Sequence, residues 1–85
     1  MALSRDDIRH RITEILADIV DDETLELDDD TTADDVEEWD SLNHVKLIVA
    51  IEQAFHVRFD VDEITMPQNV GELVDMVARK LDVAA

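Results

Sequence analysis

Apolar residues along this chain fall into helical stripes divided by polar stretches. Leu3, Ile8, Ile12, Ile15, Leu16 and Ile19 recur at three-to-four spacing, the period of one helix face. Ser4 stands ahead of most of them with Asp7 three residues on. That is a capping-box variant with Asp in place of Glu or Gln, so a first helix is expected to begin near Ser4. The stripe fades at Val20-Asp21-Asp22. Residues 21–40 keep no period, and Leu25, Leu27, Val36 and Trp39 are their large apolar residues. A connection of this length is unusual in a compact domain and often functional. It is expected to fold back and pin Leu25, Leu27 and Val36 onto the core, with the Asp28–Asp30 run as solvated loop.

A second helix is predicted from Ser41 to Phe55, with Asp40 or Ser41 accepting a backbone N–H at its start. Leu42, Val45, Leu47, Ile48, Val49, Ile51 and Phe55 cover well over half its circumference. Asn43, Lys46 and Gln53 mark the wet side. A helix this apolar is expected to pack against several neighbours. In the stretch VRFDVDEITMP, Asp60 or Asp62 starts a turn that Pro67 stops, giving a short third helix or a 3₁₀ turn. Asn69-Val70-Gly71-Glu72 has capping-box spacing for a fourth helix, whose stripe is Val70, Leu73, Val74, Val77 and Leu81. The class is all-α: one glycine and one proline supply too few turns for a hairpin-rich fold. Residues 1–85 read as a single domain.

Charge sharpens the picture. Seven Lys and Arg face 23 Asp and Glu, a net charge of −16. Phosphate contacts need Lys and Arg, so nucleic-acid binding is excluded as a function class. A partner with a basic patch is the natural complement. No Lys or Arg occurs between Arg11 and Lys46, where most of the acids lie. Such density is self-repulsive, and the fold should gain stability from salt or divalent cations. No apolar run is long enough to span a bilayer, so no membrane insertion is expected. MALSRDD lacks a signal-peptide apolar core, and a cytoplasmic monomer is the expected form.

Candidate chemistry is sparse. There are no cysteines, which removes disulfides and thiolate metal sites. His10, His44 and His56 form no metal-ligand spacing. A catalytic triad using Ser41 would need a pocket that 85 residues can hardly enclose, so no enzyme and no catalytic residue is assigned. An EF-hand register starting at Asp28 fails, with Ala33 at the sixth position and Trp39 at the twelfth. No metal site is assigned. Ser41 alone reads as a helix-start residue. Trp39 reads as an apolar plug at the hydrophobic-staple position, with partner contact as the alternative. His44 reads as an exposed helix residue three positions after Ser41, with contact to a phosphate there as the alternative.

In context these residues resemble a known family. Asp40-Ser41-Leu42 opens an apolar helix after a long acidic loop, followed by Val45, Leu47, Ile48, Ile51, Glu52 and Phe55. With the helix order, and with Asn69-Val70-Gly71-Glu72-Leu73, the chain resembles acyl carrier proteins over nearly its whole length. The resemblance implies a four-helix bundle with a long loop between helices 1 and 2 and a short third helix. It implies that Ser41 is the attachment point for a covalent 4′-phosphopantetheine arm. A phosphopantetheinyl transferase would move that arm from coenzyme A with magnesium. Asp40 would help position the transferase or its metal, and Leu42 would pack under the arm. Trp39, Asn43, His44, Lys46 and Glu52 are the implied docking residues. Enzymes with basic patches that load and transfer acyl groups are the implied partners.

Three departures colour this resemblance. The family often has glycine before the Asp-Ser-Leu triplet, where Glu38 and Trp39 stand here. Aminoacyl carriers commonly show a glycine pair before the serine, which is absent. Fatty-acid carriers usually display a row of acids on helix two, whereas Asn43 and Lys46 stand here and only Glu52 remains. A stand-alone carrier of a specialised pathway is the resulting expectation, for acyl or aminoacyl cargo. The rivals are an unmodified acidic docking module and a low-affinity divalent buffer, neither of which needs a hydroxyl at residue 41.

Overall fold

The computed structural model describes residues 4–65 and 67–84, with side chains described as far as Leu81. Four helices appear in order among the described residues: α1 (Arg5–Val20), α2 (Ser41–Phe55), α3 (Val61–Thr65) and α4 (Val70–Ala84). A three-residue 3₁₀ turn, Ala33–Asp35, interrupts the connection between α1 and α2. Helix α1 packs against both α2 and α4. The all-α bundle expected from the periodicity is present, and Leu3 lies outside the described residues.

Both halves of the Ser4 capping box form. Asp7 N–H donates to Ser4 Oγ at 3.1 Å, and Ser4 N–H donates to Asp7 Oδ2 at 3.3 Å. The shorter Asp side chain therefore reaches back as Glu would. Ile8, Ile12, Leu16 and Val20 are buried on the face that the stripe marked. Asp21 ends the helix in the left-handed region, at φ 56°. Asp tolerates that conformation better than most residues.

The long connection folds onto the core. Leu27 is buried, and Leu25 and Val36 pack partly buried against the same cluster. The reading of Asp28–Asp30 as solvated loop needs correction at Asp29. Its carboxylate accepts from Arg5 Nη1 and from Arg9 Nη1, each at 3.1 Å. Its carbonyl accepts Gly71 N–H at 2.8 Å, and the Thr31 carbonyl accepts Val70 N–H at 2.8 Å. The loop is thereby keyed between the starts of α1 and α4. The two arginines hold the Asp29 carboxyl below the usual carboxylate range.

On α2, Leu47, Ile48, Ile51 and Phe55 are buried. The expectation that α2 packs against several neighbours is corrected, since its one extensive helix neighbour among the described residues is α1. Leu42, Val45 and Val49 are 64%, 50% and 46% exposed. The reason is the size of α3: five residues, none of them fully buried, cannot cover that flank. Asp60 precedes α3, its backbone N–H donating to Glu63 Oε1 at 2.9 Å. Glu63 also pairs with Lys80 of α4 at 2.8 Å. At the start of α4, Asn69 Oδ1 accepts Glu72 N–H at 2.9 Å, as the sequence suggested. The return bond goes to Gln68 N–H rather than to Asn69.

Candidate functional site

The structure decides between the two possible caps of α2. Asp40 is the N-cap, its Oδ1 accepting Asn43 N–H at 2.9 Å. Its carbonyl accepts His44 N–H at 2.8 Å. Ser41 is therefore the first helical residue, not the cap. Its side chain is exposed, and among the described residues its hydroxyl has no hydrogen-bond partner. It is consequently free for chemistry in a way that a capping serine is not.

The electrostatics of this helix start are distinctive. The first turns of α1, α3 and α4 carry Asp6 and Asp7, Asp62 and Glu63, and Glu72 respectively. The first turn of α2 carries no acid. In a chain with 23 acids, this helix start carries the Asp40 cap and no carboxylate within its first turn. Asp40 takes the Asn43 N–H, and the N–H groups of Ser41 and Leu42 are the first-turn donors left to an added anion among the described residues.

The neighbouring side chains hold the backbone that presents Ser41. Asn43 Nδ2 donates to the Glu38 carbonyl at 2.6 Å. Trp39 is 6% exposed and belongs to the core, the plug expected at the staple position. The exposed-residue reading of His44 is corrected, because its ring is half-buried between Trp39 and α3. Trp39 Nε1–H donates to His44 Nδ1 at 3.1 Å, and His44 Nε2 lies 2.7 Å from the Ile64 carbonyl. The rings stack with centroids 6.0 Å apart. With both ring nitrogens occupied, contact of His44 with a phosphate on Ser41 would first require breaking one of these bonds. Glu52 is also engaged, accepting Phe59 N–H at 2.9 Å. Lys46 is exposed among Leu42, Val45 and Val49, which follow Ser41 down one flank.

The site thus brings together Asp40, Ser41, Asn43, His44 and Trp39. Lys46 lies further along the helix, and Glu52 is turned to the α2–α3 connection. Sequence reading missed Ile64, whose contribution is a backbone carbonyl and so leaves no signal in residue type. Among the described residues, no group of three or more His, Asp or Glu is arranged to hold a metal ion.

Residues 10–77 match the family described as "Phosphopantetheine attachment site". The chain belongs to the phosphopantetheine attachment-site family. It is 33% identical over 78 residues to an acyl carrier protein of Acidothermus cellulolyticus, spanning 92% of this chain and 93% of that protein. The solution structure of holo acyl carrier protein from Geobacter metallireducens superposes with a TM-score of 0.83 at 35% identity, over 91% of this chain and 88% of that one. The crystal structure of an acyl carrier protein from Thermotoga maritima gives 0.81 at 24% identity, covering 95% and 94%, and supports the fold. The chain is accordingly a carrier of acyl-carrier type, and covalently attached 4′-phosphopantetheine is its cofactor. The family works as a carrier rather than as a catalyst. An unmodified docking module is not the reading that these likenesses favour. The site fits the arm: an exposed, unpartnered hydroxyl stands beside a helix start with no first-turn carboxylate to repel a phosphodiester.

Proposed function

We propose that Ser41 carries the arm and that this chain shuttles acyl or aminoacyl groups between enzymes of a specialised biosynthetic pathway. The supporting observation is the exposed Ser41 hydroxyl at the start of α2, which among the described helices is the one without a first-turn acid. In the transfer reaction, Ser41 Oγ would attack the β-phosphate of coenzyme A and release adenosine 3′,5′-bisphosphate, its own proton passing to a base of the transferase. The arm supplies the thiol that a cysteine-free chain lacks. Asp40 fixes the helix start and stands beside the transferase's metal, and Leu42 packs under the arm. The protein performs no chemistry of its own in this reading. It acts as a single domain, a monomer, in the cytoplasm.

Partners fall into two parts in the same reading. The net charge of −16 draws transferases and acyl-handling enzymes with basic patches from a distance. Close contact falls to the exposed flank of Leu42, Val45, Lys46 and Val49. Trp39, Asn43, His44 and Glu52 contribute by holding the backbone around that flank. The absence of acids from this flank favours cognate enzymes other than those of housekeeping fatty-acid synthesis.

The test is intact mass after incubation with coenzyme A, magnesium and a broad-specificity phosphopantetheinyl transferase. One arm is expected on the wild type and none on Ser41→Ala. Equal modification of both would remove Ser41 from its role.

A further inference from the structure

Trp39 and His44 occupy the two positions of α2 that a hydrophobic staple joins, one residue before the cap and the fourth helical residue. A staple usually pairs two apolar side chains. Here the second is an imidazole, and its hydrogen bonds fix its chemical form. An indole N–H only donates, so His44 Nδ1, 3.1 Å away, must offer its lone pair. A carbonyl only accepts, so Nε2, 2.7 Å from the Ile64 oxygen, must carry the hydrogen. The neutral Nε2–H tautomer meets both demands, and the other neutral tautomer meets neither.

We propose that His44 is a positioning residue and the moving part of a proton-operated clasp. Neutral, it ties the Trp39 indole N–H to α3 beside Ser41; protonated, it releases that N–H. The added proton must sit on Nδ1, the atom that faces the indole. Two N–H groups would then point at each other across 3.1 Å, while the bond to Ile64 survives. Histidine is the one side chain whose ordinary charge change falls between about pH 5 and 8.

The surroundings do little to offset that loss. The elements that meet at the ring carry Glu37, Glu38 and Asp40 ahead of α2, Lys46 on α2, Asp62 and Glu63 on α3, and Lys80 on α4. The Asp40 carboxylate is taken by Asn43 N–H, and that of Glu63 by Asp60 N–H and Lys80. Among the described residues, no carboxylate bonds to the His44 ring.

The clasp matters because of what it joins. α3 has no fully buried residue: Ile64 packs partly buried against the core, and the polar ties His44–Ile64 and Lys80–Glu63 add to that hold. Trp39 directly precedes the cap and Ser41. Release of its indole N–H loosens residues 39–41, the backbone that presents the hydroxyl. The clasp belongs to the folded chain with or without an arm, so it does not rest on the carrier reading.

The experiment is NMR on the ¹⁵N-labelled chain at about pH 8 and about pH 5. At the higher pH, His44 should be the Nε2–H tautomer and the Trp39 indole N–H protected from exchange. At the lower pH the indole protection factor should fall about tenfold, the loss of roughly one net hydrogen bond. His44→Gln takes up no proton, so its protection should not change between the two conditions. An Nδ1–H tautomer at the higher pH would overturn the proposal. So would unchanged wild-type protection, or the same fall in His44→Gln. If His44→Gln does not fold, the wild-type tautomer and protection decide the matter alone.

Discussion

Adjacent side chains at the start of α2 divide the labour between them. Asp40 caps and Ser41 does not, which leaves the Ser41 hydroxyl exposed and, among the described residues, unpaired. Asp40→Ala removes the bond to Asn43 N–H and should cost about 1 kcal/mol. In a domain of this size that is a Tm lower by about 5 °C. Asp40→Asn caps equally well and should melt close to wild type, both read by circular dichroism. An Asp40→Ala melt identical to wild type would mean that the cap contributes nothing. The sequence left Asp40 and Ser41 as equal candidates, because either side chain can accept from the first turn. It could not reveal the state of His44, whose second bond is to a carbonyl twenty positions on.

At the element scale, helix periods carried most of the fold. The buried faces of α1 and α4 follow their stripes because each has a continuous neighbour. The outer flank of α2 did not follow, because apolar residues report what could be buried and not whether a neighbour is long enough to bury it. The acidic connection was legible in its apolar anchors and illegible in Asp29. Arg5 and Arg9, one turn apart on α1, were the signal for that site. The keyed loop makes Gly71 critical. A Cβ there would lie 3.0 Å from both the Cβ and the carbonyl oxygen of Asp29. Asp29 cannot easily retreat, since Arg5, Arg9 and Gly71 N–H all hold it. Alanine brings a helix-propensity gain of about 1 kcal/mol, against an overpacking cost of about 1–3 kcal/mol. Gly71→Ala should therefore lower Tm, and a higher Tm would show that the loop is looser than the contacts require.

At the scale of the whole molecule, two electrostatic effects act in opposite directions. The net charge of −16 repels itself, so magnesium or salt at neutral pH should raise Tm. Asp29 and Glu63 are held below their usual range, Asp29 first by Arg5 and Glu63 first by the Asp60 N–H. A carboxyl depressed in the folded state stabilises above its unfolded value, and that stability is lost as pH falls through the folded one. In His44→Gln, which has no ring to protonate, acidification from neutral pH should thus raise Tm while repulsion is relieved, then lower it below about pH 4 as these ties protonate. Asp29→Asn should flatten the acid side of this profile. A Tm that falls steadily from pH 7 in low salt would contradict the dominance of repulsion.

The most direct measurement of the central claim is the position of the arm on the modified chain. The sequence has two serines, Ser4 and Ser41. The Ser4 hydroxyl already accepts Asp7 N–H, whereas that of Ser41 has no partner among the described residues. Fragmentation of the transferase-treated protein by tandem mass spectrometry should place one phosphopantetheine on Ser41 and leave Ser4 bare. An arm on Ser4 or on a threonine, or none on a folded chain, would contradict the account.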